Sequence, residues 1–223
     1  MAQPQLSPSA ADAVNSNFGH EAMLAKLLKI AAEAEQTVAE QAKRIAELES
    51  LLYTDELTGL ANRRGLNDAI GRALSSAQRY NETGGLVYMD LDGFKAVNDH
   101  YGHEAGDKVL KAIASTITSH IRATDTAARL GGDEFAVLFT KGDPGALRAK
   151  AERLRIILLN TYVDFDGVRI AIRTSLGFAQ YKPGMTRDVL VRNADTAMYA
   201  DKRLRKAKAY LTEIPPSKVS NAP

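Results

Sequence analysis

Residues 128–139 read ARLGGDEFAVLF, and the architecture turns on how this stretch is read. Two glycines and two carboxylates, Gly131-Gly132-Asp133-Glu134, interrupt what is otherwise apolar strand sequence. Paired glycines permit positive φ in a tight hairpin, and they equally allow a phosphate to approach the backbone. Both uses place Asp133 and Glu134 between the strands TAARL and FAVLF. The turn alone does not separate a structural role for the acids from a chemical one.

Upstream, GGLVYMDLD (84–92) reads as a second strand. Its period of two puts Leu86, Tyr88 and Asp90 on one side and Val87, Met89 and Leu91 on the other. A carboxylate closing an apolar strand is costly if buried unpaired, so Asp90 belongs at an exposed strand end or against a cation. If the sheet joins the two strand ends, Asp90, Asp133 and Glu134 form an acidic site suited to Mg²⁺. That ion keeps one or two protein carboxylates and fills its octahedron with water and phosphate. Just beyond, GFKAVN supplies Gly93, helix-start amides and Lys95, a combination able to hold phosphate. The cations Lys202, Arg203, Arg205 and Lys206 cluster at a helix end, either for phosphate or as a solvated face complementing the dipole.

The elements around these strands alternate. Helical patterning covers Leu57 to Tyr80, Asp107 to Ile121, Ala146 to Leu159 and Thr186 to Arg205. Paired strands follow in YVDFDGVRIAIRTSLGFAQY, and a last strand is expected near AYLTEI. The order implies an α+β sandwich with one sheet, over residues 53–214. Residues 1–20 read as a flexible leader and 215–223 as a flexible tail. Between them, Leu24, Ala31, Val38, Ile45 and Leu52 recur every seventh residue, with Leu27, Ala34, Gln41 and Leu48 at the second heptad position. Residues 21–52 therefore read as a long coiled-coil helix that pairs two chains, or as a lone helix packed on its own domain.

Composition narrows the chemistry. At 223 residues, 45% hydrophobic and 25% charged, the chain can bury one good core, and a net charge of +2 gives no reason to expect nucleic acid as a partner. There is no cysteine, so disulfides, thiolate chemistry and cysteine-bound zinc are excluded. His100 and His103 share a loop and are a metal pair or, more simply, solvated side chains. The absence of a long apolar run leads us to expect no membrane insertion and a cytoplasmic location.

The motifs DELTGLANRRG, MDLDGFKAVND, YGHEAGDKVL, RLGGDEF, SLGFAQY and NADTAMYADK, in this order, resemble the GGDEF-domain diguanylate cyclases. The resemblance implies an α+β fold with a central, mostly antiparallel sheet flanked by helices, like that of nucleotidyl cyclases and polymerase palms, and condensation of two GTP into cyclic di-GMP by a homodimer. It makes Asp90, Asp133 and the Leu91 carbonyl ligands of Mg²⁺, or of Mn²⁺ in its place, with two ions per site and Glu134 assisting at the second. Asn98 and Asp107 match guanine-reading positions, although Asp107 alone could equally be a helix N-cap. Gly93, Phe94, Lys95 and Lys202 would hold phosphates, with Lys206 as the second cation because this chain has Arg203-Leu204-Arg205-Lys206 where the family often has Gly-Arg. Arg122 and Asp125 have the spacing of an inhibitory product site, joined by Arg153; without the resemblance they read as a surface ion pair. A catalytically silent domain that only binds cyclic di-GMP is the alternative, and an upstream signalling partner is compatible with either.

Overall fold

The computed structural model describes residues 10–213, with side-chain surroundings for 23–45 and 52–207. These divide into a helical unit up to Ser50 and a compact unit from Leu51 onward. The first helix, α1 (Ala10–Tyr53), begins inside the segment expected to be a leader. From Ala10 to Phe18 the sequence contains three alanines and neither proline nor glycine, which favours helix over coil. Within α1 the heptad residues Leu24, Leu27, Val38 and Ile45 are all exposed. The environment of Leu48 and the segments 1–9 and 214–223 lie outside the described residues.

In the compact unit, helix α2 (Arg63–Tyr80) starts six residues later than the periodicity suggests. Asn62 caps it, its side-chain oxygen accepting from the amides of Arg64 and Gly65 at 2.9 and 3.0 Å. Ahead of it, Asp55 holds a turn by accepting from the Thr58 amide and hydroxyl at 3.0 and 2.6 Å. These two local side-chain bonds outcompete helix over Leu57–Ala61.

Strand β1 (Gly84–Leu91) leads into α3 (Phe94–Tyr101) and α4 (His103–His120). Gly102, at φ 84°, makes the corner between the helices, so Asp107 lies inside α4 and is not its cap. The hairpin is β2 (Thr126–Gly131) and β3 (Glu134–Phe139). Helix α5 (Pro144–Leu159) is capped by Asp143 and carries proline in its first turn. A short hairpin of β4 (Tyr162–Phe165) and β5 (Val168–Ala171) precedes β6 (Thr174–Tyr181).

The main sheet runs β2-β3-β1-β6 with every pairing antiparallel, while β4 and β5 form a separate two-stranded sheet in place of joining the single one expected. The final helix α6 (Arg187–Glu213) continues through most of AYLTEI, where a strand was expected. No glycine or proline interrupts it, and helix propagation prevails over the β preference of Tyr210 and Thr212.

The sheet carries apolar side chains on both faces. Leu86, Ala136, Leu138 and Tyr181 pack with Leu66 and Ile70 of α2 and Leu190 and Ala194 of α6. Val87, Met89, Phe135 and Val137 pack on the other face with Ile113 and Ile117 of α4 and Leu154 and Leu158 of α5. The period of two in β1 therefore sends Asp90 toward the α6 side. At Gly177 an added methyl would collide with the backbone of Ala194 and Met198, so glycine lets α6 lie directly on β6.

Candidate active site

Strand register assembles the acidic site. Asp90 stands opposite Glu134 across β1 and β3, and the Leu91 amide donates to the Asp133 carbonyl at 3.2 Å. Gly131 pairs with Glu134, leaving Gly132 and Asp133 as a two-residue loop; Gly131 at its base and Gly132 within it have positive φ, 143° and 51°. The paired glycines therefore serve the hairpin, and the hairpin presents Asp133 at its apex. Burial, with the charge of Asp90 nearby, pushes the Asp133 carboxyl above its ordinary range.

Asp90 is 9% exposed and accepts from Lys202 Nζ at 2.6 Å. Burial works against charge on Lys202, yet the hydrogen bond it donates to Asp90, with Asp92 and Asp133 behind it, raises its ammonium above the usual value. Asp92 is engaged separately, accepting from Ser175 Oγ at 2.7 Å. Among the described residues no three His, Asp or Glu side chains form a closed cation cage. Two mutually repelling carboxylates beside a backbone carbonyl nevertheless fit a Mg²⁺ or Mn²⁺ that brings water and phosphate as its remaining ligands.

Side chains that the motifs did not single out hold this turn. Arg129 donates from Nε and Nη2 to the Gly132 carbonyl at 3.0 and 2.9 Å, and from Nη1 to both Asp55 oxygens at 3.2 Å. Burial works against the charge on Asp55, yet the Thr58 hydroxyl and amide, followed by Arg129, hold its carboxyl below the usual range. Arg63 meets Glu134 at 3.3 Å at the exposed rim. A charged residue inside the apolar run AARL was the available signal for Arg129.

The nucleotide candidates occupy the next elements. Gly93, at φ 76°, opens α3 beyond the end of β1, with Lys95 exposed and Phe94 packed on the core. Asn98 lies against Gly106, where any side chain would strike its amide oxygen, and Asp107 is the next residue, exposed on α4. The fold thus brings Asn98 and Asp107 to one corner. His100 stacks edge-on with Tyr101 and has no histidine partner among the described contacts. On α6, Arg205 is tied to Asp201 at 3.1 Å, whereas Lys206 is exposed.

Arg122, Asp125 and Arg153 share a cleft of about 390 Å³ with Lys150 and Phe139, at the opposite end of β3 from Glu134. Asp125 does not pair with the Arg122 guanidinium. Its oxygens accept from the Arg122 and Thr140 amides at 3.1 and 3.3 Å, and Lys150 Nζ sits 3.6 Å away. The surface ion pair considered from the spacing is therefore absent, and the exposed Arg122 side chain faces the cleft.

The family model for the diguanylate cyclase GGDEF domain matches residues 52–208. The bifunctional diguanylate cyclase/cyclic di-GMP phosphodiesterase MucR of Pseudomonas aeruginosa is 43% identical over 154 residues, covering 69% of this chain and 22% of that protein. The diguanylate cyclase DgcS of Shewanella oneidensis is 37% identical over 161 residues, covering 72% and 53%. The chain thus spans between about a fifth and a half of the length of these relatives. Among solved structures, the coiled coil and GGDEF domain of DgcB from Caulobacter crescentus, in complex with c-di-GMP, superposes with TM-score 0.72 at 32% identity, covering 81% of this chain and 94% of that one. No described helix is long and apolar enough to cross a membrane.

Proposed function

The chain belongs to the GGDEF-domain family of diguanylate cyclases, and from that premise we propose that it condenses two GTP into cyclic di-GMP and two pyrophosphates. The observation that carries this reading is the meeting of Asp90, Asp133 and Lys202 at the ends of neighbouring strands. Asp90, Asp133 and the Leu91 carbonyl would hold two divalent ions, with Glu134 assisting. Such ions supply positive charge that neutralises a triphosphate and acidifies a 3′-hydroxyl.

Gly93, Phe94, Lys95, Lys202 and Lys206 hold the β- and γ-phosphates, while Asn98 and Asp107 pair with the guanine edge. A guanine presents N–H donors where adenine does not, so a carboxylate at Asp107 discriminates between them. The 3′-oxygen of one nucleotide attacks the α-phosphate of the other, the bond to the β-phosphate oxygen breaks, and pyrophosphate leaves. The hydroxyl proton passes to the turn carboxylates. Two such attacks close the ring.

One domain holds one GTP, so two copies must face each other. The exposed heptad stripe of α1 supports pairing through a coiled coil, which raises the local concentration of the second domain and offers an upstream partner a lever on its orientation. Product returns to the Arg122, Asp125 and Arg153 cleft and inhibits from there; a guanidinium fork suits both phosphate and a guanine edge. Incubating the purified protein with GTP and Mg²⁺, then identifying products by chromatography, tests the activity. Product from the parent and none from Asp133→Asn is the expected result. Binding of cyclic di-GMP without any synthesis would instead establish the silent receptor.

A further inference from the structure

Strand β6 is an edge of the main sheet, and an edge strand leaves peptide groups without a neighbouring strand. At Leu176 those groups are satisfied by side chains. The Leu176 amide donates to Asp201 Oδ2 at 3.0 Å, and its carbonyl accepts from Arg155 Nη2 at 3.1 Å. Arg155 and Asp201 are themselves joined, Nη1 lying 2.8 and 2.9 Å from the two carboxylate oxygens. Together they take the place of a missing strand at one residue.

The arrangement spans two layers. Arg155 comes from α5 on one face of the sheet and Asp201 from α6 on the other, and each side chain is 19% exposed. Glu152 and Arg205 brace the pair, Arg155 Nε donating to Glu152 and Arg205 Nε to Asp201, each at 3.1 Å. Burial opposes ionisation of Asp201, but the Leu176 amide and the two arginines hold its carboxyl below the usual range.

Lys202 follows Asp201 in the chain, and Asp90 faces Ser175, the residue before Leu176. One turn of α6 therefore grips β6 through Asp201 while its next residue reaches across β6 to the acidic end of β1. We propose that Asp201 and Arg155 are positioning residues for Lys202: they fix the height of α6 against β6 so that Nζ meets Asp90 and the phosphates bound there. The inference rests on the cyclase reading for its consequence in turnover, but its geometry stands apart from that reading.

Because the pair acts through Lys202, its effect on activity disappears when Lys202 can no longer contribute. Asp201→Asn keeps the size of the side chain and removes its charge, and should lower kcat/KM for GTP by about tenfold, mainly through KM. In a Lys202→Met background the same substitution should change kcat/KM by less than about twofold. Arg155→Met should behave like Asp201→Asn, with Arg155→Lys recovering little because an ammonium lacks the planar fork. A thermal melt accompanies each variant, and a general loss of fold would lower activity by the same factor in both backgrounds, which overturns the proposal. A second readout needs no turnover: amine acylation followed by mass spectrometry should modify Lys202 slowly in the parent and faster in Asp201→Asn, with Lys95 unchanged. Equal labelling of Lys202 in the two proteins would also overturn it. A parent that makes no cyclic di-GMP refutes the activity and leaves the labelling comparison to decide the clamp.

Discussion

The two ends of β3 are charged in opposite senses. At the end beginning with Glu134, Asp90 and Asp133 share one close ammonium, that of Lys202. At the end finishing with Phe139, Arg122, Lys150 and Arg153 surround one carboxylate, Asp125, whose oxygens are already bonded to backbone amides. Each end has charge left over. The first has use for a cation and the second for an anion, and six residues of strand separate them. A single scaffold can thus carry a metal-dependent site and an anion site without either neutralising the other, because a span of roughly 20 Å exceeds the Debye length in physiological salt.

The strongest test removes charge from the acidic end. Asp133→Asn should cut cyclic di-GMP synthesis by roughly 10³-fold, the kinetic equivalent of several kcal/mol of transition-state stabilisation. Stability should not fall with it: the Asp133 carboxyl is raised by burial and by Asp90, so its ionised form opposes folding at neutral pH, and the neutral amide removes that penalty. A variant that is inactive because it melts earlier would contradict the assignment.

The next test asks whether the acidic end alone needs a second copy facing it. Removing residues 1–50 should lower specific activity at nanomolar protein by about 10–100-fold, with recovery as concentration rises. Binding of cyclic di-GMP to the basic cleft, measured by calorimetry, should be less affected. Full activity at every dilution would show that α1 does not assemble the pair. Asp107→Ser should reduce the preference for GTP over ATP by about tenfold in a competition assay, the scale of one charged hydrogen bond, and leave the cleft untouched.

At the basic end, Arg122→Ala should leave the initial rate within about twofold and remove the product-dependent plateau in the progress curve. Identical curves with equal inhibition by added cyclic di-GMP would return Arg122 to the status of a surface cation. The smallest effect concerns acid stability. Asp55 is held below the ordinary carboxylate range, so the stability it contributes is present above its unfolded value of 3.8 and is lost as pH falls through the lower folded value. Asp55→Asn should therefore flatten the decline of the melting temperature below about pH 4, whereas Asp133→Asn should not.

Much of the acidic end was legible because its residues are contiguous with strong local signals. A two-residue glycine turn specifies a hairpin, and the alternation in VYMDL specifies which face Asp90 takes. Helix boundaries were less legible where a side chain settles them: Asn62 delays α2, and Gly102 lets α4 start ahead of Asp107. AYLTEI has strand-forming residues but continues a helix already nucleated upstream. The hairpin of β4 and β5 pairs only with itself, which alternation alone does not reveal.

By itself, the sequence determined most of the element types between Tyr53 and Arg205, the hairpin carrying Asp133, the heptad stripe and the motifs of the family, since each depends on neighbours within a few residues. Only the tertiary structure decided that Lys202 meets Asp90 across 112 positions, that Arg129 ties Gly132 to Asp55, and that Arg155 and Asp201 close an edge strand. Those partners lie on different elements, and an ion pair carries no periodic trace in the chain. Its two members become neighbours only after the sheet has set which ends and which faces meet.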